Sequence, residues 1–129
     1  GAWIAHVMFD LPLLQFSATI RSGAGQSLAE FVATFGLILT ILGTRAVARG
    51  ATAHAVGLYI AAAYWFTAST SFANPAATIA RSLSDTFAGV APGSLPAFIA
   101  CQLAGAIAAQ YVAGWLWADV PAEPATSAR

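Results

Sequence analysis

Three apolar runs set what this chain can become: residues 27–43 (SLAEFVATFGLILTILG), 53–69 (AHAVGLYIAAAYWFTAS) and 94–118 (SLPAFIACQLAGAIAAQYVAGWLWA). As helices rising about 1.5 Å per residue, they come close to or exceed the ~30 Å of a bilayer's hydrocarbon core. The rest of the chain offers little to wet a surface. Of 129 residues, 59% are hydrophobic and 8% are charged, against about 25% charged in a soluble domain. No lysine is present, and the acids are Asp10, Glu30, Asp85, Asp119 and Glu123. Lipid is therefore the expected solvent, and the fold class is all-α, a polytopic membrane protein. A net charge of zero and the lack of a basic stripe speak against a nucleic-acid partner. The single Cys101 can form no internal disulfide and reads as a small packing residue. His6 and His54 lie in separate segments without an adjacent carboxylate or a metal-ligand spacing. No metal, no cofactor and no enzymatic activity is expected from them.

Local signals divide the runs. Ser27 with Glu30 makes a capping-box pattern at the start of the first run. Ser94 can cap the third, and Pro96 suits its first turn. Arg45 and Arg49 between the first two runs predict a cytoplasmic loop, with Arg21 a weaker vote for the opposite orientation. The tail after the third run is then cytoplasmic, and its Pro, Ala and acid content predicts disorder over 119–129. Tyr64, Trp65, Phe66, Trp115 and Trp117 fall where the membrane interfaces should lie. Ala100, Ala104 and Ala108 form a small-residue stripe suited to close helix packing. The opening GAWIAHVMF is short for a span and lacks a basic leader. It reads as the tail of a helix begun upstream, so residues 1–9 are expected to end a preceding helix and 10–26 to be an extracellular loop. A chain that starts without methionine is expected to be a fragment.

The stretch SFANPAATIAR, residues 71–81, breaks the pattern. Asn is a favoured N-cap and Pro a favoured first helical residue, so Asn74-Pro75 predicts a helix over 75–87. That helix is too short to cross and must dip into the membrane from one side. Non-helical backbone at membrane depth survives only where protein covers it or water lines it. The helix N-terminus carries a positive partial charge that repels cations and protons, while the asparagine NH₂ can donate to a neutral oxygen.

Taken with SLAEFVATFGL, ANPA, AFIACQLAGAIAA and the opening AHVMFDLP, this layout resembles the second half of a major intrinsic protein, the aquaporin and aquaglyceroporin family. The resemblance covers nearly all of the chain up to Trp117. It implies that residues 27–118 are one aquaporin-like repeat, three transmembrane helices plus a re-entrant half-helix, from a six-span channel of two inverted repeats. The N-terminal repeat of the same chain would then be missing here, and the assembly would be a homotetramer in the lipid bilayer. Asn74, Pro75 and Ala76 carry over as the second pore motif. Backbone carbonyls at Ser71, Phe72 and Ala73 would line the outer half of the pore, and Glu30 would be the buried carboxylate supporting the re-entrant loop.

Two departures bear on the permeant. Most relatives follow the second motif with arginine; here that position is Ala77. The opposing filter position on the preceding span falls at Ala62 or Ala63. Arg81 lies four residues, about 6 Å, further out along the half-helix and is expected at the pore mouth. This arginine-free motif with its YWFTASTSFANPA lead-in resembles a bacterial aquaglyceroporin branch associated with arsenic resistance. The resemblance implies a passive channel in the bacterial inner membrane for small neutral permeants: water, glycerol-like polyols, and metalloid hydroxides such as arsenite. A non-conducting membrane anchor or assembly subunit is the alternative, because one half-helix cannot close a pore alone. An ion-coupled transporter fits less well, since Glu30 is the only acid within a run.

Overall fold

The computed structural model describes residues 1–119; the tail expected to be disordered lies, from residue 120 on, outside the described residues. The described chain forms five α-helices: α1 (Ala2–Met8), α2 (Ala24–Val47), α3 (Thr52–Phe66), α4 (Pro75–Ser82) and α5 (Leu95–Leu116). Short 3₁₀ turns at Arg49–Ala51 and Pro92–Ser94 lead into α3 and α5.

α2 starts earlier than its capping-box pattern predicts. Gly23, at φ 105°, takes a left-handed turn that suits glycine, and the helix begins at Ala24. Ser27 is already inside the helix, its N–H bonded to the Gly23 carbonyl. The Ser27–Glu30 box therefore does not form, and Glu30 is free to turn inward. Ser94 does precede α5, but its hydroxyl accepts from the Arg21 N–H (3.2 Å) and makes no cap. Pro96 sits in the first turn as expected.

α2 and α5 form the central pair. A Cβ at Gly105 would meet the carbonyl of Phe31 and the amide nitrogen of Phe35, so the two backbones touch there. Phe98, Gln102, Gly105, Ala109 and Ala113 are the buried face of α5. The stripe read from the sequence is not that face: Ala100 and Ala104 are exposed and Ala108 only half-buried. The reason is rotational phase, since bringing Gln102 to Glu30 and Gly105 to Phe31 turns the alanines aside. α3 packs on α2 through Tyr59, which lies against Gly36 and donates its hydroxyl to the Ala33 carbonyl (3.0 Å).

By length and composition, α2 and the 92–116 segment are long and apolar enough to cross a membrane. α3, at 15 residues, is shorter than its predicted run, and at about 22 Å it falls short of the hydrocarbon thickness. It ends at Thr67, whose N–H and hydroxyl both turn back to the Ala63 carbonyl while its backbone becomes extended. α4 is likewise shorter than the expected 75–87. Beyond Ser82 the polar residues go elsewhere: Asp85 accepts from the Ala18 N–H (2.9 Å) and its own N–H donates to Gln15 (3.2 Å).

Polarity is distributed inside out. Glu30, Thr34, Ser69, Thr78 and Gln102 are buried, while Leu58, Trp65, Tyr111 and Trp115 are at least 73% exposed. A water-soluble domain does the reverse, whereas a helical membrane protein hides hydrogen-bonding groups and shows apolar ones. The described residues are all-α: two helices long and apolar enough to cross a membrane, a shorter apolar helix, and the short Asn-Pro-capped helix α4.

Candidate functional site

The site is a non-helical descent, residues 67–74, that delivers the chain to the N-terminus of α4. Thr70, Ser71 and Ala73 all have φ between 49° and 66°, the left-handed region. For non-glycine residues this conformation costs about 1–2 kcal/mol each, so something must hold it. Glu30 does: its Oε1 accepts from the Phe72 N–H and its Oε2 from the Ala73 N–H, each at 2.9 Å. Glu30 is fully buried, and charge-assisted bonds in such a setting are strong. Gln102 of α5 completes the brace, donating to Glu30 Oε2 (2.6 Å) and to the Thr78 hydroxyl (2.7 Å). Thr78 in turn donates to the Asn74 carbonyl (3.0 Å), so α2, α5 and α4 are tied to one turn.

Asn74 is the N-cap of α4, its Oδ1 accepting from the Ala76 N–H (2.8 Å), with Pro75 at the first helical position. Asn74 is exposed, and its NH₂ has no hydrogen-bond partner among the described residues. The end of the half-helix thus presents donors to open space.

Beside α4 lies a cavity of about 170 Å³. Ala77 and Arg81 line it from α4, Thr70, Ser71 and Phe72 from the descent, and Ala88 from the following loop. The opposing helix contributes Ile60 and Tyr64, one turn apart, and not Ala62 or Ala63. Ala63 is fully buried within the bundle, and Ala62 is exposed away from this cavity. Ala73 is buried and is not among the residues lining the cavity, and Ala76 is exposed.

Sequence reasoning missed Gln102, Thr78 and Arg21. Gln102 had a signal, an amide within the long apolar run of α5. Arg21 reads from the sequence as a loop cation, yet it is buried, donating from Nε to the Gly89 carbonyl (2.7 Å) and from Nη2 to that of Phe87 (2.9 Å). Burial pushes its pKa down, with Glu30 and Tyr64 pulling it back up; a guanidinium stays charged in either case. His6 is also buried, its Nδ1 3.2 Å from the Leu13 carbonyl.

No protein-family model matches the chain, and no solved structure matches it. Aquaglyceroporin AqpS of Rhizobium meliloti (strain 1021) is 53% identical to it over 116 residues, which is 90% of this chain and 50% of that protein. The chain spans about half the length of the curated relative it matches. With that identity, a braced descent into an Asn-Pro-capped half-helix and an inside-out bundle, the chain belongs to the aquaglyceroporins of the major intrinsic protein family.

Proposed function

We propose that this chain is one of two repeats walling a passive channel for small neutral solutes: water, glycerol-like polyols, and metalloid hydroxides such as arsenite. The observation that carries the reading is the start of α4, where the Asn74 NH₂ is unengaged among the described residues and Ala77, in the first turn, lines the cavity. The positive end of the half-helix disfavours cations and protons, while Asn74 donates to a passing hydroxyl oxygen. Ala77 adds neither bulk nor donors, which leaves room for a solute wider than water. Asn74, Pro75 and Ala76 form the pore motif; Ala77 with Ile60 and Tyr64 forms this repeat's share of the outer constriction, and Arg81 its mouth.

A second repeat must supply the opposing half-helix, in keeping with inverted repeats whose broken helices meet at mid-membrane. Half the length of the relative is left for it. The exposed Arg45, in the last turn of α2, and Arg49, in the 3₁₀ turn before α3, favour a cytoplasmic position for that end of the bundle, and with it a cytoplasmic C-terminus. The bacterial relative favours the inner membrane, and the family resemblance a homotetramer.

Glycerol-driven swelling of proteoliposomes carrying the full-length channel tests the reading. Uptake well above empty liposomes is expected; uptake equal to them, with the protein inserted, would favour the non-conducting anchor.

A further inference from the structure

Arg21 sits in an unusual place for a loop cation. The backbone of 17–21 runs against the loop after α4: Ser17 N–H donates to the Ser82 carbonyl (2.9 Å) and Ala91 N–H to that of Thr19 (2.7 Å). The side chain then reaches inward, with Nε on the Gly89 carbonyl (2.7 Å), Nη2 on Phe87 (2.9 Å) and Nη1 on Ser69 (3.3 Å). The guanidinium carbon stands 5.5 Å over the Phe72 ring. These anchor points bracket the cavity beside α4. Ser69 precedes the lining residue Thr70, Phe87 and Gly89 flank the lining residue Ala88, and Phe72 lines the cavity itself. The charge therefore lies one backbone layer behind the wall, and Arg21 is not among the lining residues.

We propose that Arg21 is a selectivity residue of the channel, supplying from behind the wall the fixed positive charge that Ala77 does not supply from within the lumen. The inference rests on the channel reading above. An arginine inside a constriction does two things at once: it narrows the bore and it repels cations. Here the two tasks fall to different positions, so the bore can be wide while the charge remains. The charge is needed, because the carbonyls of Thr70, Ser71 and Phe72 accept no hydrogen bond among the described residues. Unengaged carbonyls in the wall of a channel attract cations. The Glu30 carboxylate opposes the guanidinium's field but bonds further along the descent than Arg21 does. Along the descending chain Arg21 bonds at Ser69, before Glu30 bonds at Phe72 and Ala73, and the carboxylate is engaged there by two N–H groups and Gln102. Arg81 lines the same cavity but is exposed, so salt screens it more than a buried charge.

The test uses the full-length channel in liposomes, with Na⁺ leak and glycerol uptake measured on the same preparations at about 1 M salt, where the Debye length is about 3 Å. Arg21→Gln should raise the ratio of Na⁺ leak to glycerol uptake roughly tenfold, the scale on which a focused charge alters local ion concentration. Arg21→Lys keeps the charge but not the three-carbonyl grip, and should hold the ratio within about twofold of wild type while lowering the melting temperature. An Arg21→Gln channel as cation-tight as wild type overturns the proposal. So does an Arg21→Lys channel that leaks, which would make the arginine a structural latch only; this second result decides the matter even if Arg21→Gln does not insert. A wild-type channel that takes up no glycerol refutes the channel reading instead.

Discussion

Gln102 Nε2 reaches Glu30 Oε2 at 2.6 Å and Thr78 Oγ1 at 2.7 Å, so a single amide on α5 joins a carboxylate of α2 to the half-helix α4. All three side chains are fully buried. The geometry of the descent at 70–73 therefore depends on side chains of α2 and α5, two helices that contribute no residue to the cavity beside α4.

Removing the carboxylate should expose that dependence. Glu30→Ala leaves the Phe72 and Ala73 N–H groups and one Gln102 donor without a partner, and should destabilise the protein by about 3 kcal/mol. Glu30→Gln, which keeps an acceptor oxygen, should lose about half as much. Thermal melting of the detergent-solubilised full-length protein measures both. A Glu30→Ala melt that overlays wild type would mean that the strained turn is held by something else.

The α2–α5 contact makes a second, independent expectation. Gly105→Leu forces the Phe31 and Phe35 backbone away and should cost about 3 kcal/mol, whereas Ala104→Leu, on the exposed face, should stay within about 0.5 kcal/mol of wild type. Equal losses from the two substitutions would show that the packing face has been misplaced.

At Asn74, cap and charge can be separated. Aspartate caps a helix as well as asparagine does, so Asn74→Asp should fold; Asn74→Ala should lose about 1 kcal/mol of stability with the cap. Asp adds a negative charge where the helix end is positive and removes the NH₂ donor, so cation flux through the full-length channel should rise while neutral-solute uptake falls. Cation-tight vesicles with normal glycerol uptake would remove Asn74 from the barrier.

Ala77→Arg places a guanidinium on the cavity side of α4. It should reduce glycerol and arsenite uptake at least tenfold relative to water, through lost bore and added fixed donors, with tenfold equivalent to about 1.4 kcal/mol. Stopped-flow water permeability beside solute uptake, at equal expression, reads the ratio. If the ratio does not move, the narrowest point lies elsewhere along the pore.

Much of this was legible because lipid imposes simple rules. Long apolar runs with few charges placed α2 and α5, and Asn-Pro placed the start of α4 to the residue. What the sequence hid was phase and reach. Ala100, Ala104 and Ala108 satisfy the small-residue spacing as well as Gly105 and Ala109 do, and only the partner helix decides between them. Ser27 with Glu30 matches a local cap, but Gly23 lets the helix begin earlier and releases the carboxylate for bonds to residues more than forty positions on. Ile60 and Tyr64 displaced Ala62 and Ala63 beside Ala77 for the same reason, because the rotation of α3 follows from Tyr59 seating on Gly36. Arg21 was the hardest, since its partners are backbone carbonyls, which leave no trace in residue identity.

The left-handed residues at Thr70, Ser71 and Ala73 have a consequence for biosynthesis. The ribosome releases this turn before it releases α5, so when the turn first reaches the bilayer Glu30 is present but Gln102 is not. A turn that costs energy at three residues will not hold its shape on half of its brace. The turn, and with it the position of Asn74 at the start of α4, is therefore set only when α5 arrives, and a nascent chain caught earlier in the membrane holds that helix end in no fixed place.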